Sequence, residues 1–75
     1  MQLRPIKSNM TELTVGDTTV LFSYRTPVAG YDDQGAFRTD QRYSVTTTKH
    51  INQYLGKGVG RTVSQEYINS LVEVA

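Results

Sequence analysis

Apolar and polar residues alternate through the first half of the chain with a period of two, the period of a β-strand. Residues 18–25 are the strongest case, because β-branched and aromatic side chains fill this segment. One face of it carries Val20, Phe22 and Tyr24, and the other carries Leu21. A shorter alternating run at 11–15 precedes it, separated by Gly16-Asp17. A glycine-containing pair between two such runs predicts a two-residue β-hairpin.

Further strands are predicted on both sides of this hairpin. Residues 3–7 read as an edge strand, because Pro5 has no backbone N–H to donate to a neighbour. Pro27 marks an edge, a bulge or a bend, and residues 32–35 form a turn that ends in a glycine. The remaining predicted strand segments are 28–31, 36–39 and 42–46.

The spacing of apolar residues changes from strand-like to helix-like after Val45. Thr46, Thr47 and Thr48 are successive N-cap candidates, and Gly56 suits the position that ends a helix. The buried stripe of this first helix is predicted to be Ile51, Tyr54 and Leu55. Ser64 is the predicted N-cap of a second helix. Its buried stripe is predicted to be Tyr67, Ile68, Leu71 and Val72.

These elements predict one α+β domain over residues 1–75. The expected architecture is an antiparallel β-meander of four to five strands, followed by two short helices packed on one face. Each helix is too short to be stable alone, so both must dock on the sheet. The predicted core is Val20, Phe22, Tyr43, Val45, Ile51, Leu55, Ile68 and Leu71.

Composition excludes several classes of site. The 75 residues contain no cysteine and a single histidine, which leaves no disulfide, no thiolate metal site and no histidine cluster. No apolar stretch approaches the roughly 18 residues of a membrane span, and the N-terminal residues lack the apolar core of a signal peptide. We therefore expect a cytoplasmic protein without membrane contact or cofactor. Because so short a chain buries a small core, a homodimer is a further expectation.

Charge is unevenly distributed although the net charge is only +1. Residues 12–33 are mainly acidic and residues 38–61 are mainly basic. The basic side chains of the second segment are Arg38, Arg42, Lys49, Lys57 and Arg61. Two interpretations stay open: solvated surface charges that folding brings near balance, or a basic face that meets an acidic partner or a nucleic acid.

The glycine-rich segment 56–62 is a candidate anion-binding loop. Its glycines free backbone N–H groups, and Lys57 and Arg61 carry charges that suit a phosphate. It lacks the Lys-Ser/Thr pair of a Walker motif, however, and a connector between two helices also needs glycines. Among the five tyrosines, Tyr31 is the interface candidate, because it lies next to a turn.

No catalytic or metal-binding constellation is evident. His50 lies near Ser44 and several threonines, but no acidic residue at readable spacing orients its imidazole, so a polar histidine beside the helix stripe is the favoured interpretation. Asp32, Asp33 and Asp40 lack the spacing of a calcium loop. The sequence therefore predicts a protein that is not an enzyme and holds no metal.

Two segments, 21–29 and 43–52, resemble a family of small proteins of unknown function encoded by tailed bacteriophages. The resemblance extends from near Ile6 to the last helix. It departs from the family pattern at Tyr43 and Tyr54, where tryptophan is often found. It implies a phage origin and a host-cell cytoplasmic setting, but no chemistry.

The leading functional hypothesis is a non-enzymatic protein-binding module, a phage accessory protein that modulates a host or phage machine. The alternative is a nucleic-acid-binding module that uses the basic segment 38–61. The candidate binding residues are Tyr31, Arg38, Arg42, Lys49, Lys57 and Arg61.

Overall fold

The computed structural model describes residues 2–73 and confirms an α+β fold. Six strands form one sheet in sequence order, whereas four to five strands were predicted. The strands are β1 (Gln2–Lys7), β2 (Met10–Val15), β3 (Thr18–Ser23), β4 (Thr26–Asp32), β5 (Gly35–Thr39) and β6 (Arg61–Val63). Helix α1 (Val45–Leu55) connects β5 to β6, and helix α2 (Gln65–Glu73) follows β6.

The predicted hairpin between β2 and β3 is present. Gly16 has a φ of 58°, a left-handed conformation that glycine adopts without the steric cost of a Cβ atom. At its other end β3 is shorter than predicted. The strand ends at Ser23 because Tyr24 has a φ of 59°, outside the β region, and the chain turns there into β4.

Pro27 lies beside a β-bulge in a strand inside the sheet. Leu21 pairs with Ala29, but the next residue, Phe22, pairs with Pro27, so Val28 is an extra residue on β4. A bulge locally disrupts the hydrogen-bond ladder, which explains how a proline is tolerated at this position. Of the three possibilities left open by the sequence, the bulge is correct.

The two helices lie on opposite faces of the sheet, so the prediction that both pack on one face is wrong. Val20 and Leu21 are neighbours on β3, point to opposite faces, and are both fully buried. The core under α1 consists of Met10, Leu21, Val28, Ala29, Ile51 and Leu55. The core under α2 consists of Val20, Phe37 and Ile68, with Phe22 and Leu71 only partly buried beside it.

The segment after β5 also differs from the prediction of a strand at 42–46. Helix α1 begins at Val45, with Ser44 as its N-cap, so Tyr43 and Val45 are 47% and 74% exposed instead of buried. In addition β6 pairs with β5 in parallel, because α1 carries the chain back to the same end of the sheet. The sheet is therefore antiparallel only from β1 to β5.

The close approach of neighbouring strands explains why residue 30, within β4, is a glycine. Gly30 pairs with Val20 on one side and Phe37 on the other. A Cβ atom at this position would lie 2.0 Å from the Thr19 carbonyl oxygen and 2.9 Å from the Phe37 ring. The absence of a side chain at residue 30 therefore allows the Phe37 ring to occupy the core under α2.

Candidate functional site

The segment that leads into α1 forms an exposed surface with a fixed backbone. The Ser44 side chain accepts a hydrogen bond of 3.1 Å from the Thr47 backbone N–H, which caps the helix. Before it, the Thr39 hydroxyl accepts a hydrogen bond of 3.0 Å from the Gln41 N–H and anchors the start of the loop. The chain between β5 and α1 is thus held at both ends by side-chain hydrogen bonds.

This segment borders a shallow concavity of about 440 Å³. We call it the Tyr43 surface, and its residues are Arg42, Tyr43, Ser44, Val45, Thr48 and Lys49. Two of these residues are cations, two are apolar or aromatic, and two are hydroxyl-bearing. None carries a negative charge, so the surface combines apolar side chains with a positive net charge.

The five predicted basic residues do not converge on one face. Arg42 and Lys49 lie together on the Tyr43 surface, and Lys57 is exposed beyond the opposite end of α1. Arg38 and Arg61 are both partly buried, and each binds an acceptor within the protein. The charges thus have separate structural settings.

Arg38 lies on the α1 side of the sheet and holds the glycine-rich loop. Its guanidinium donates hydrogen bonds to the carbonyl oxygens of Val59, at 2.9 Å, and Gly56, at 3.2 Å. Gly56 also ends α1, where its N–H donates to the Asn52 carbonyl at 2.8 Å. The loop therefore directs carbonyl groups toward an arginine of its own chain, an arrangement that fits a connector better than an anion cradle.

Arg61 lies on the other face and binds the Asp32 carboxylate through two hydrogen bonds, one of them 3.0 Å long. The Tyr67 hydroxyl donates a third hydrogen bond to the same carboxylate, whose side chain is only 4% exposed. The hydrogen bond from Arg61 is the main cause that holds the pKa of Asp32 well below its ordinary value, against the opposing effect of burial. The same carboxylate raises the pKa of Tyr67. This cluster joins β4, β6 and α2.

Tyr31 is partly exposed, at 39%, and packs its ring against Tyr54 on α1, with the ring centroids 5.8 Å apart. The Tyr54 hydroxyl donates a short hydrogen bond to the Glu12 carboxylate. Burial and, second, this carboxylate raise the pKa of Tyr54 to about 12. The predicted interface residue is therefore part of a packed aromatic pair that attaches α1 to the sheet.

The sequence interpretation missed a buried polar pair. His50 is 8% exposed, and its Nδ1 atom lies 2.8 Å from the hydroxyl of Ser23, which is 2% exposed. The sequence predicts His50 beside the α1 stripe and assigns no role to Ser23. Their pairing over 27 positions has no local signal, because it depends on which face of the sheet α1 covers.

A second shallow groove, of about 300 Å³, lies on the α2 side of the sheet near the β1 edge. Leu3, which is 66% exposed, lines it together with Phe22 and Tyr24. A signal for it was present in the sequence: Leu3 is an apolar residue on a predicted edge strand. Neither helix extends over β1, whose residues are all exposed.

Residues 2–73 contain neither a cluster of metal ligands nor a helix that could span a membrane. In that part of the chain, no three histidine, cysteine, aspartate or glutamate side chains cluster in a way that suits a metal ion. None of the helices in this range has the length and apolar character needed to cross a membrane.

Comparison with known proteins identifies one family. A family model described as a family of unknown function, DUF8033, matches residues 1–70. Neither the curated proteins nor the solved structures contain a match to the chain. Since the family model covers nearly the whole sequence, the chain belongs to the DUF8033 family of unknown function.

Proposed function

We propose that this protein is a non-enzymatic protein-binding module and that its partner docks on the Tyr43 surface. The observation that carries the proposal is the exposure of Tyr43 and Val45, at 47% and 74%, on a capped and anchored backbone. Neither side chain contributes to either core. Exposed apolar residues two positions apart, on a segment held by hydrogen bonds, favour an interaction site, and tyrosine is enriched at interfaces.

Nucleic acid is the alternative partner, and the distribution of cations supports it less well. Lys49 is the fifth residue of α1 and Lys57 lies two residues beyond its end, so the helix between them alone spans about 9 Å. Arg38 and Arg61 are engaged inside the protein. A nucleic-acid backbone is usually followed by a continuous series of cations. The Tyr43 surface has two cations and one exposed ring, Tyr43, on which a base can stack.

The biological setting that we propose rests on the sequence resemblance. A phage-encoded accessory protein in the host-cell cytoplasm, modulating a host or phage machine through protein contact, agrees with a small domain in a family of unknown function. A chain of this size presents few surfaces, so a modulating role through one docking site is the simplest form of the proposal.

A homodimer stays a prediction. The open edge strand β1 offers unpaired backbone groups, but Pro5 and the register shift between Pro5 and Lys7 interrupt it as a template for a second strand. A dimer that covers the groove at Leu3 is therefore the form we expect. Sedimentation at micromolar concentration tests this expectation, and a single 8.4 kDa species would contradict it.

The docking proposal is tested by affinity capture from infected bacterial cells with the tagged full chain and nuclease-treated extract. We compare it with a Tyr43→Ala, Val45→Ser double variant and with Val59→Ser, a matched change of an exposed apolar residue in the loop beyond the other end of α1. We expect wild type and Val59→Ser to enrich the same protein and the double variant to lose it. Retention by the double variant would contradict the proposal, as would loss by Val59→Ser alone.

A further inference from the structure

We infer that the segment recognised by the Tyr43 surface is acidic, with carboxylates on either side of one apolar side chain. This inference rests on the proposed function and specifies the chemistry of the partner. It is carried by the charges around the concavity and by how Arg42 and Lys49 differ from the arginines whose charges are engaged within the protein, Arg4, Arg38 and Arg61.

Arg42 and Lys49 are exposed cations whose charges are not used inside the fold. Within residues 2–73, ion pairs join Arg4 to Glu12 and Arg61 to Asp32, while Arg38 binds two carbonyl oxygens. No ion pair involves Arg42 or Lys49 in the same range. The nearest acidic residue in sequence, Asp40, accepts a hydrogen bond from the Gln41 side chain. The two cations therefore remain free for a carboxylate from outside.

Neither cation is placed where it stabilises the protein. Lys49 follows a first helical turn that contains no acidic residue, so its charge has no partner one turn earlier on α1. Arg42 lies in the exposed loop before the helix. Complementary charge on a partner would compensate both and would speed association.

The apolar part of the surface distinguishes a protein segment from a simple anion. Tyr43 and Val45 line the same concavity as the two cations, and its volume of about 440 Å³ accommodates an aliphatic or aromatic side chain. An acidic segment with a central leucine would bury that side chain against Tyr43 and Val45 and place carboxylates near Arg42 and Lys49.

The test uses fluorescein-labelled synthetic peptides and anisotropy titration of the full chain at low and physiological salt. The first peptide has a central leucine flanked by glutamates. The second replaces the glutamates with lysines, and the third replaces the leucine with serine. We expect the first peptide to bind at least about tenfold more tightly than either of the others at low salt, with an affinity that falls as salt rises.

Charge reversal gives the matched control. The Arg42→Glu, Lys49→Glu double variant changes two exposed residues, so its melting temperature should stay close to that of wild type. It should prefer the lysine peptide over the glutamate peptide. Equal binding of both peptides by wild type, or an unchanged preference in the variant, would overturn the inference. So would tighter binding of a single-stranded oligonucleotide than of the glutamate peptide.

The outcomes for the two proposals are separable. If capture of the cellular partner depends on Tyr43 and Val45 but is unchanged by the charge reversal and by salt, the docking site stands and the acidic partner is wrong. If capture does not depend on Tyr43 and Val45, the proposed docking function itself fails.

Discussion

Ser23 and His50 connect the sheet to α1 through a hydrogen bond of 2.8 Å in the protein interior. The Ser23 hydroxyl also lies 3.1 Å from the Thr47 hydroxyl, which in turn accepts a hydrogen bond from the N-cap Ser44. A chain of polar contacts thus runs from β3 to the start of the helix. It links the interior to the backbone that presents the Tyr43 surface.

We expect Ser23→Ala to lower the free energy of unfolding by about 1–3 kcal/mol, because a buried ring nitrogen loses its hydrogen-bond partner. Urea denaturation measures the loss. Ser8→Ala, at an exposed turn residue, is the control and should change stability by less than about 0.5 kcal/mol. An unchanged midpoint for Ser23→Ala would mean that the pair does not fix α1.

Because Ser23 is only 2% exposed, we also expect its hydroxyl not to react with a covalent probe for nucleophilic serines.

The Asp32 cluster predicts a loss of stability in acid. The pKa of Asp32 lies well below its ordinary value of 3.8, because Arg61 stabilises the carboxylate in the folded state. As the pH falls, the Asp32 carboxylate therefore takes up its proton at a higher pH in the unfolded chain than in the folded protein. The stabilising contribution is complete above about pH 4 and is lost as the pH falls further, through the pKa of the folded state.

Asp32→Asn should lower the free energy of unfolding at neutral pH by about 2 kcal/mol, since a charged acceptor of three side-chain donor contacts is lost. The same variant should lose stability less steeply than wild type between about pH 4 and pH 2. Denaturation at a series of pH values measures both effects. Asp33→Asn, a change of an exposed neighbour, is the control. Parallel acid profiles for wild type and Asp32→Asn would contradict the assignment.

Tyr54 predicts a loss of stability in alkali. Its pKa is raised from 10.0 to about 12 by burial and by the Glu12 carboxylate, so the folded state holds the phenolic proton more tightly than the unfolded state. The contribution is complete below about pH 10 and is lost as the pH rises through about 12. Tyr54→Phe should flatten the alkaline stability profile. Phenolate absorbance and denaturation, followed together, test this.

The two phenylalanines should differ in their effect on stability. Phe37 is fully buried over Gly30, whereas Phe22 is only partly buried at the edge of the same core. We expect Phe37→Ala to cost about 3–5 kcal/mol, enough to unfold so small a domain. Phe22→Ala should cost clearly less and still melt cooperatively. A larger effect for Phe22→Ala would contradict the burial of the two rings. Thermal unfolding followed by circular dichroism compares them.

Local signals predicted the elements that local chemistry controls. The hairpin at Gly16, the end of α1 at Gly56 and the cap of α2 at Ser64 all follow from single residues with strong conformational or hydrogen-bonding preferences. The segment 42–46 was wrongly predicted as a strand, because its aromatic and β-branched residues favour one. The Ser44 cap instead starts a helix at Val45.

Longer-range features were beyond a pattern analysis. The alternation in β3 places Leu21 and Val20 on opposite faces of the sheet. It does not indicate that each of these faces is covered by a helix. Likewise the basic residues could be counted from the sequence, yet the internal partners of Arg38 and Arg61 lie 21 and 29 positions away. Only Arg42 and Lys49 of the predicted set are brought together, and the apolar residues between them had been assigned to the core.

The sequential order of the strands has a consequence for how the protein refolds. From β1 to β5 each strand pairs with its neighbour in sequence across a short turn, so these contacts close small loops and cost little chain entropy. The three-residue β6 can pair only after α1 has crossed the sheet. We therefore expect the meander to form in the folding transition state and α1 to dock afterwards. Changes at the helix start should then speed unfolding and leave the refolding rate nearly constant. The part of the molecule that presents the proposed docking surface would then form after the meander and open before it.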